Sequence, residues 1–145
     1  MSWGAFLTQI LSAALGSLGF SLLFGNRLWS RSLSASAVGA LGWAVYLCLT
    51  GAGHSWFLAC LAASVVVGLL AEGQAKLFKA PSTVFLIVGL IPLVPGGSLY
   101  YTLSNALLQN WEQSRFYLNQ TLQFTLGLAG GVALVAGISL MLRRR

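Results

Sequence analysis

The sequence has few charged residues, and it contains no aspartate. Of its 145 residues, 7% are charged and 57% are hydrophobic. A soluble globular domain normally has about a quarter of its residues charged, so eight basic and two acidic side chains cannot cover a surface of this size. The composition excludes a soluble domain and predicts an all-α integral membrane protein in which basic residues mark topology rather than a nucleic-acid site.

Residues that bind metals or perform catalysis are also scarce. The chain has one histidine and two cysteines, and Cys48 and Cys60 lie in different apolar segments without metal-ligand spacing. A hydrolase that uses Ser98 and His54 lacks an acid to orient the histidine, and residues 96–100 lack the final glycine of a nucleophile elbow. We therefore predict no catalytic residues, no metal and no cofactor.

Five apolar segments predict about five transmembrane helices in one domain that covers residues 1–145. Roughly 20 helical residues cross the ~30 Å hydrocarbon core of a bilayer, and the second and third segments are short on this scale. The predicted spans are Ala5–Phe24, Ala35–Thr50, Phe57–Ala71, Thr83–Leu108 and Leu122–Leu142.

Basic residues are concentrated on one side of these spans. Seven of the eight follow spans one, three and five, and only Arg115 lies on the other side. The positive-inside rule then places the C-terminus in the cytoplasm and the N-terminus outside. A cleaved signal peptide is disfavoured, because Arg27 and Arg31 separate the first apolar run from the small residues at 35–37. The seven residues are Arg27, Arg31, Lys76, Lys79, Arg143, Arg144 and Arg145.

Small residues recur at four-residue spacing on three spans. Helices in lipid associate through such stripes because small side chains allow close backbone approach. The stripes have two interpretations: contacts within one bundle, or contacts with another subunit in a homo- or hetero-oligomer. They comprise Ala13, Ser17, Ser21 and Gly25; Cys60, Ser64 and Gly68; and Gly127 with Gly131.

The fourth span should be interrupted near its middle. Pro92 and Pro95 lack N–H groups and strand the carbonyls of Val88 and Ile91. We expect residues 92–97 to be non-helical near the membrane midplane, with a second helix that begins near Ser98 and has a hydroxyl cap. Its unpaired N–H groups would bind a carboxylate, although a kink needed only for packing is the alternative. The candidate substrate-binding residues are Pro92, Pro95, Gly96, Gly97, Ser98, Tyr100, Tyr101 and Asn105.

Glu72 is the candidate coupling or gating residue. It continues the stripe of Cys60, Ser64 and Gly68 at the same spacing, and an ionisable side chain at this depth suggests function. The alternative is an interfacial ion pair with Lys76, four residues further on.

The most specific motifs are AE at residues 71–72, KAPSTVF at residues 79–85 and GLIPLVPGGSLY at residues 89–100. They resemble the signature of the threonine/serine exporter family in its small-subunit, YjjB-like form. The likeness extends over the whole chain, which resembles the C-terminal membrane half of the single-chain ThrE form.

The resemblance implies a bacterial inner-membrane exporter that works with a larger YjjP-like subunit. Its implied substrates are threonine and serine, or succinate, which all bear a carboxylate. The alternative is a scaffold or assembly subunit without a substrate path of its own. The partners expected are membrane lipid, the larger subunit and a small carboxylate substrate.

Overall fold

The protein is helical throughout the part of the chain that the structure describes. This computed structural model describes residues 3–24 and 28–143, and for residues 142 and 143 the backbone alone. These residues contain no strand. The helices are α1 Trp3–Leu23, α2 Trp29–Gly51, α3 Trp56–Phe78, α4 Ser82–Leu90, α5 Gly96–Leu107 and α6 Trp111–Arg143, and a 3-10 helix, Ile91–Leu93, links α4 to α5.

Within the described residues, four helices, α1, α2, α3 and α6, are long and apolar enough to cross a membrane. The segments Ser82–Leu93 and Gly96–Leu107 form a fifth span when counted as one, with a bend of 44° between them. The prediction of an all-α membrane protein with about five spans, the fourth broken, is therefore confirmed.

Three helices are longer than the spans predicted from hydropathy. α2 begins at Trp29 instead of Ala35, α3 continues to Phe78 instead of Ala71, and α6 begins at Trp111 instead of Leu122. Backbone hydrogen bonding continues a helix through polar residues that hydropathy excludes. At ~1.5 Å per residue, α6 is about 50 Å long, which exceeds the ~30 Å hydrocarbon core.

The helices pack in the order α1–α2–α3–α6–α5, and α4 packs against both α2 and α3. The larger of two buried clusters includes Val38, Val67 and Leu93, and Phe124 of α6 joins it. Large apolar side chains cover much of the exterior, among them Leu7, Leu11 and Leu15 of α1. Such a surface suits lipid as the surrounding solvent.

The small-residue stripes lie in contacts within the chain. Ser17 of α1 faces Gly39 of α2 so closely that a Cβ on the glycine would collide with the hydroxyl. On α3, the Cys60 thiol donates to the carbonyl of Phe124 at 3.3 Å and the Ser64 hydroxyl to that of Gly127 at 3.3 Å. These contacts support the interpretation of the stripes as bundle contacts, and contacts with another subunit stay a prediction.

The described basic residues divide between the two ends of the bundle. Arg31 donates from Nη2 to the carbonyl of Phe78 at 3.2 Å, which joins the start of α2 to the end of α3. At the opposite end, the ring of Trp56, at the start of α3, lies 5.6 Å from that of Phe116. Arg31, Lys76 and Lys79 thus belong to one end and Arg115 to the other. Gly25, Arg27, Arg144 and Arg145 lie outside the described residues.

Candidate functional site

The break between α4 and α5 consists of a 3-10 helix followed by a tight turn. The α-helix ends at Leu90, and the N–H of Val94 then donates to the carbonyl of Ile91 at 3.2 Å. Pro95, with φ −77° and ψ 48°, has nearly the geometry of an inverse γ-turn. Across it, the N–H of Gly96 donates to the carbonyl of Val94 at 2.8 Å. The prediction that the Ile91 carbonyl is stranded is therefore wrong.

The second half-helix begins two residues earlier than predicted, at Gly96 instead of Ser98. The first α-helical hydrogen bond runs from the N–H of Leu99 to the carbonyl of Pro95, at 3.0 Å. Pro95 has a φ that suits a helix start, so the helix begins directly after it. Ser98 is the third helical residue and does not cap the helix; no side chain caps α5.

Two backbone N–H groups remain unpaired at this helix start. Within the described residues, the N–H groups of Gly97 and Ser98 have no hydrogen-bond acceptor. The first N–H groups of any helix lack intrahelical partners and carry the positive end of its dipole. An anion is the ligand that best satisfies them.

A cavity of about 480 Å³ lies directly against this helix start. Its volume is typical of small-molecule sites, which range over ~300–1,000 Å³. It extends from Thr50 and Trp56, at one end of the bundle, to the break. It is lined by Gln9 of α1; Trp43, Tyr46, Leu47 and Thr50 of α2; Trp56 of α3; Pro92, Val94, Pro95, Gly97 and Ser98 of the break and α5; and Gln120 and Phe124 of α6.

Four of the eight predicted substrate-binding residues line this cavity. They are Pro92, Pro95, Gly97 and Ser98, and all four belong to the break or to the first turn of α5. The break and the first turn of α5 therefore contribute half of the predicted residues to the cavity. Gly96 is exposed beside the cavity and is not among its lining residues.

The other three predicted residues do not line it. Tyr100 is 65% exposed and lies two residues after Ser98, which turns it to the far side of α5 at 3.6 residues per turn. The ring of Tyr101 packs 5.2 Å from that of Tyr117 on α6. The Asn105 amide donates to the carbonyl of Tyr101 at 2.8 Å. Tyr100, Tyr101 and Asn105 are therefore removed from the candidate site.

A model of a known protein family matches most of this chain. The family model described as "Threonine/Serine exporter, ThrE" matches residues 9–138. The chain belongs to this family. The matched region includes α4, the break and α5, so the cavity lies within the part that defines the family. No solved structure matches the chain. The sequence resemblance is confirmed, and the chain is a multi-pass membrane protein of an amino-acid exporter family.

Sequence reasoning missed the residues that face the break across the cavity. Gln9 carried a usable signal, because it is an amide within the apolar run of α1, where uncompensated polar groups are costly. Gln120 carried none, because it lies just before the fifth apolar run and outside the predicted spans. Trp43 and Tyr46, whose rings stack at 4.9 Å, resembled ordinary core residues of α2.

A second cavity of about 350 Å³ adjoins the first on the side of α1. Gln9, Trp43 and Pro92 line both cavities, and Thr8, Ser12 and Ala13 complete the second. The hydroxyls of Thr8 and Ser12 donate to carbonyls of their own helix, at 3.1 and 2.8 Å. The two cavities together place side chains with hydroxyl or amide groups beside the break, Thr8, Gln9 and Ser12 on the α1 side and Gln120 on the α6 side.

A tightly packed layer, called the glycine layer below, lies between the break and the far end of α4. It consists of Gly42, Gly89, Val38, Val67 and Leu93. A Cβ on Gly89 of α4 would lie 2.7 Å from Val38 Cγ1 and 2.8 Å from Val67 Cγ1. A Cβ on Gly42 of α2 would collide with Val67 as well. Val38, Val67 and Leu93 are at most 1% exposed. The cavity therefore ends at a dry apolar layer that joins α2, α3 and α4.

Glu72 lies on the other side of this layer, about 24 Å along α3 from Trp56. It is half-buried and lines three cavities, of about 330, 390 and 180 Å³. Lys76 lines two of them, and the first residues of α4, Ser82 and Thr83, also line two. Glu72 does not line the cavity at the break, so any role it has in transport is at the opposite end of the bundle.

Proposed function

We propose that this chain is the membrane subunit of a bacterial exporter of small carboxylate-bearing metabolites, and that the substrate binds at the start of α5. One observation carries the proposal: Gly97 and Ser98, whose N–H groups have no acceptor among the described residues, line a cavity of about 480 Å³. Membership of the exporter family supports transport as the activity. Threonine, serine and succinate are the candidate substrates.

The chemistry favours the carboxylate as the group that is bound there. An unsatisfied N–H group in a dry environment costs several kcal/mol, and a carboxylate oxygen accepts from two adjacent N–H groups while it interacts with the positive helix end. Gly97 has no side chain that would obstruct this approach. Because threonine, serine and succinate share the carboxylate, this contact alone does not distinguish between them.

The test is the substitution Gly97→Val with Gly96→Val as its matched control. A Cβ at either glycine meets no atom within 4 Å, so neither substitution creates a collision at its Cβ. Only Gly97 lines the cavity, so its valine would occupy the space next to the N–H groups. We expect Gly97→Val to abolish export of threonine, serine or succinate from cells and Gly96→Val to retain it, at equal amounts of membrane-inserted protein.

Ser98→Ala should have a milder effect. It removes one hydroxyl contact, worth about 1 kcal/mol or up to tenfold in affinity, and it leaves the backbone N–H in place. Full export by Gly97→Val at normal expression would reject this site and favour the alternative, a scaffold subunit whose partner contains the whole substrate path.

Glu72 is proposed as a coupling or gating residue at the opposite end of the bundle. It is one of the chain's two acidic residues, and it lines the cavities between α3, α4 and α6. Glu72→Gln keeps the size of the side chain and removes its charge. Export that becomes independent of an imposed proton gradient in this variant would support coupling. Unchanged export with unchanged gradient dependence would limit Glu72 to an interfacial ion pair.

The proposed exporter lies in the bacterial inner membrane with its N-terminus outside and its C-terminus in the cytoplasm. The separation of Arg31, Lys76 and Lys79 from Arg115 supports this orientation through the positive-inside rule. The proposed assembly is a homo-oligomer or a complex with a larger YjjP-like subunit. Co-purification from native membranes, followed by efflux assays with threonine, serine and succinate, tests both the partner and the substrate.

A further inference from the structure

Of the two amide side chains that line the cavity at the break, one makes no other interaction with the described residues. None of the described residues that line it has a charged side chain. The Thr50 hydroxyl donates to the carbonyl of Tyr46 at 2.9 Å, and Gln9 already has an interaction within the protein. The half-buried Gln120 amide has no hydrogen-bond partner in residues 3–24 and 28–143. A ligand in the cavity is therefore a natural partner for Gln120.

The packing of α5 against α6 determines which residues of α5 lie opposite Gln120 of α6. The Ser114 hydroxyl donates to the carbonyl of Thr102 at 3.0 Å, and the ring of Tyr117 lies 5.2 Å from that of Tyr101. The two helices run antiparallel, so moving forward along α6 from either contact corresponds to moving back along α5. Gln120 then lies level with residues 96–98, which carry the unpaired N–H groups.

We propose that Gln120 is a specificity-determining residue that contacts the polar group next to the substrate carboxylate. This inference rests on the proposed function, because it assumes a carboxylate at Gly97 and Ser98. A glutamine amide accepts through Oε1 and donates through Nε2. It can therefore accept from the ammonium of an amino acid or donate to the second carboxylate of a dicarboxylate. The neutral amide leaves the site open to both classes.

Two charge substitutions test the role of Gln120. Gln120→Glu places a carboxylate beside the second substrate group, and Gln120→Lys places an ammonium there. We expect Gln120→Glu to lower the ratio of succinate export to threonine export at least tenfold. Gln120→Lys should raise the same ratio at least tenfold. Gln113→Glu is the matched control, because Gln113 is an exposed glutamine of the same helix that does not line the cavity, and it should leave the ratio unchanged.

The measurements use the full chain in its native complex. Efflux of labelled threonine and succinate is compared in cells. If a variant binds without transporting, ligand-induced shifts in the melting temperature of the purified complex compare the binding of the two substrates. An unchanged ratio in both Gln120 variants would overturn this inference, as would loss of both substrates in both variants. If Gly97→Val nevertheless abolishes export, the proposed site stands without Gln120. If Gly97→Val exports normally, the proposed function fails first.

Discussion

Three glycines of α6 give a graded test of how tightly α3 and α6 pack. A Cβ added to Gly127 would lie 2.6 Å from the carbonyl oxygen of Phe57 and 3.1 Å from the N atom of Leu61. At Gly130 the nearest atom, Leu61 Cδ1, is 3.7 Å away, and at Gly137 nothing lies within 4 Å. The new methyl group of a Gly→Ala change would therefore meet backbone atoms at Gly127, a side chain at ordinary contact distance at Gly130 and no atom within 4 Å at Gly137.

The magnitudes follow from two opposing effects. Replacing glycine with alanine inside a helix stabilises it by about 1 kcal/mol, and this gain is common to the three sites. Overpacking costs about 1–3 kcal/mol, and more where no side chain can move aside. We expect Gly137→Ala to leave the free energy of unfolding unchanged or to raise it, and Gly130→Ala to have a similar effect. Gly127→Ala should be less stable than Gly137→Ala by roughly 1–3 kcal/mol.

The assay is the free energy of unfolding in mixed micelles, measured by titration with a denaturing detergent. Gly42→Ala supplies a comparison, because its Cβ would collide with a side chain, that of Val67, rather than with backbone. Val67→Ala should partly restore Gly42→Ala, so that the two changes are non-additive. Equal stability of Gly127→Ala and Gly137→Ala would refute the close approach of α3 and α6 on which this reasoning depends.

Three further predictions concern the α1–α2 contact, the glycine layer and the topology. Ser17→Ala should not lower the free energy of unfolding, because the buried Ser17 hydroxyl has no partner among the described residues. Ser36→Ala should lower it by about 1 kcal/mol, because the Ser36 hydroxyl loses its 2.6 Å hydrogen bond to the Ala14 carbonyl. In Val38→Cys/Gly89→Cys, the Cβ atoms would lie 3.5 Å apart, within disulfide range, and the Val67 side chain, 2.8 Å from the new Cβ, must move aside. Oxidation should stop export, because the disulfide would hold closed the layer at which the cavity ends, and reduction should restore it. Export through a fully oxidised protein would show that this layer does not open. Reporter fusions should place the C-terminus in the cytoplasm, and an inactive cytoplasmic reporter at that position would reject the orientation.

Much of the architecture was predictable because it depends on local chemistry. Apolar length predicted the number of spans, and Pro92 and Pro95 predicted the break, since each proline removes a helical donor whatever surrounds it. The four-residue spacing of Cys60 and Ser64 predicted a close helix contact. These patterns act within one helix, so a single sequence is enough to detect them.

The residues that complete the candidate site were not predictable, because their positions depend on contacts between helices that are distant in the sequence. Gln120 faces the break because α5 leaves the α2–α3 groove and packs on α6, which is a long-range arrangement. Tyr100 and Tyr101 looked suitable from their hydroxyl groups, but a start of α5 at Gly96 and its contact with α6 turn them away from the cavity. The start itself depended on the turn at Pro95, which composition does not specify.

The bend at the break explains why a cavity and a dry layer occur next to each other in one small bundle. α4 lies against α2 and α3, where Gly42 and Gly89 allow the helices to approach until the space is filled. A straight continuation of α4 would extend this packing into the space beside Trp43. The 44° bend instead directs α5 towards α6, and the gap that it leaves between α2 and α6 is the cavity. The same prolines that divert the helix also expose the N–H groups of Gly97 and Ser98 to that gap, so the cavity and its anion-binding groups have one structural cause.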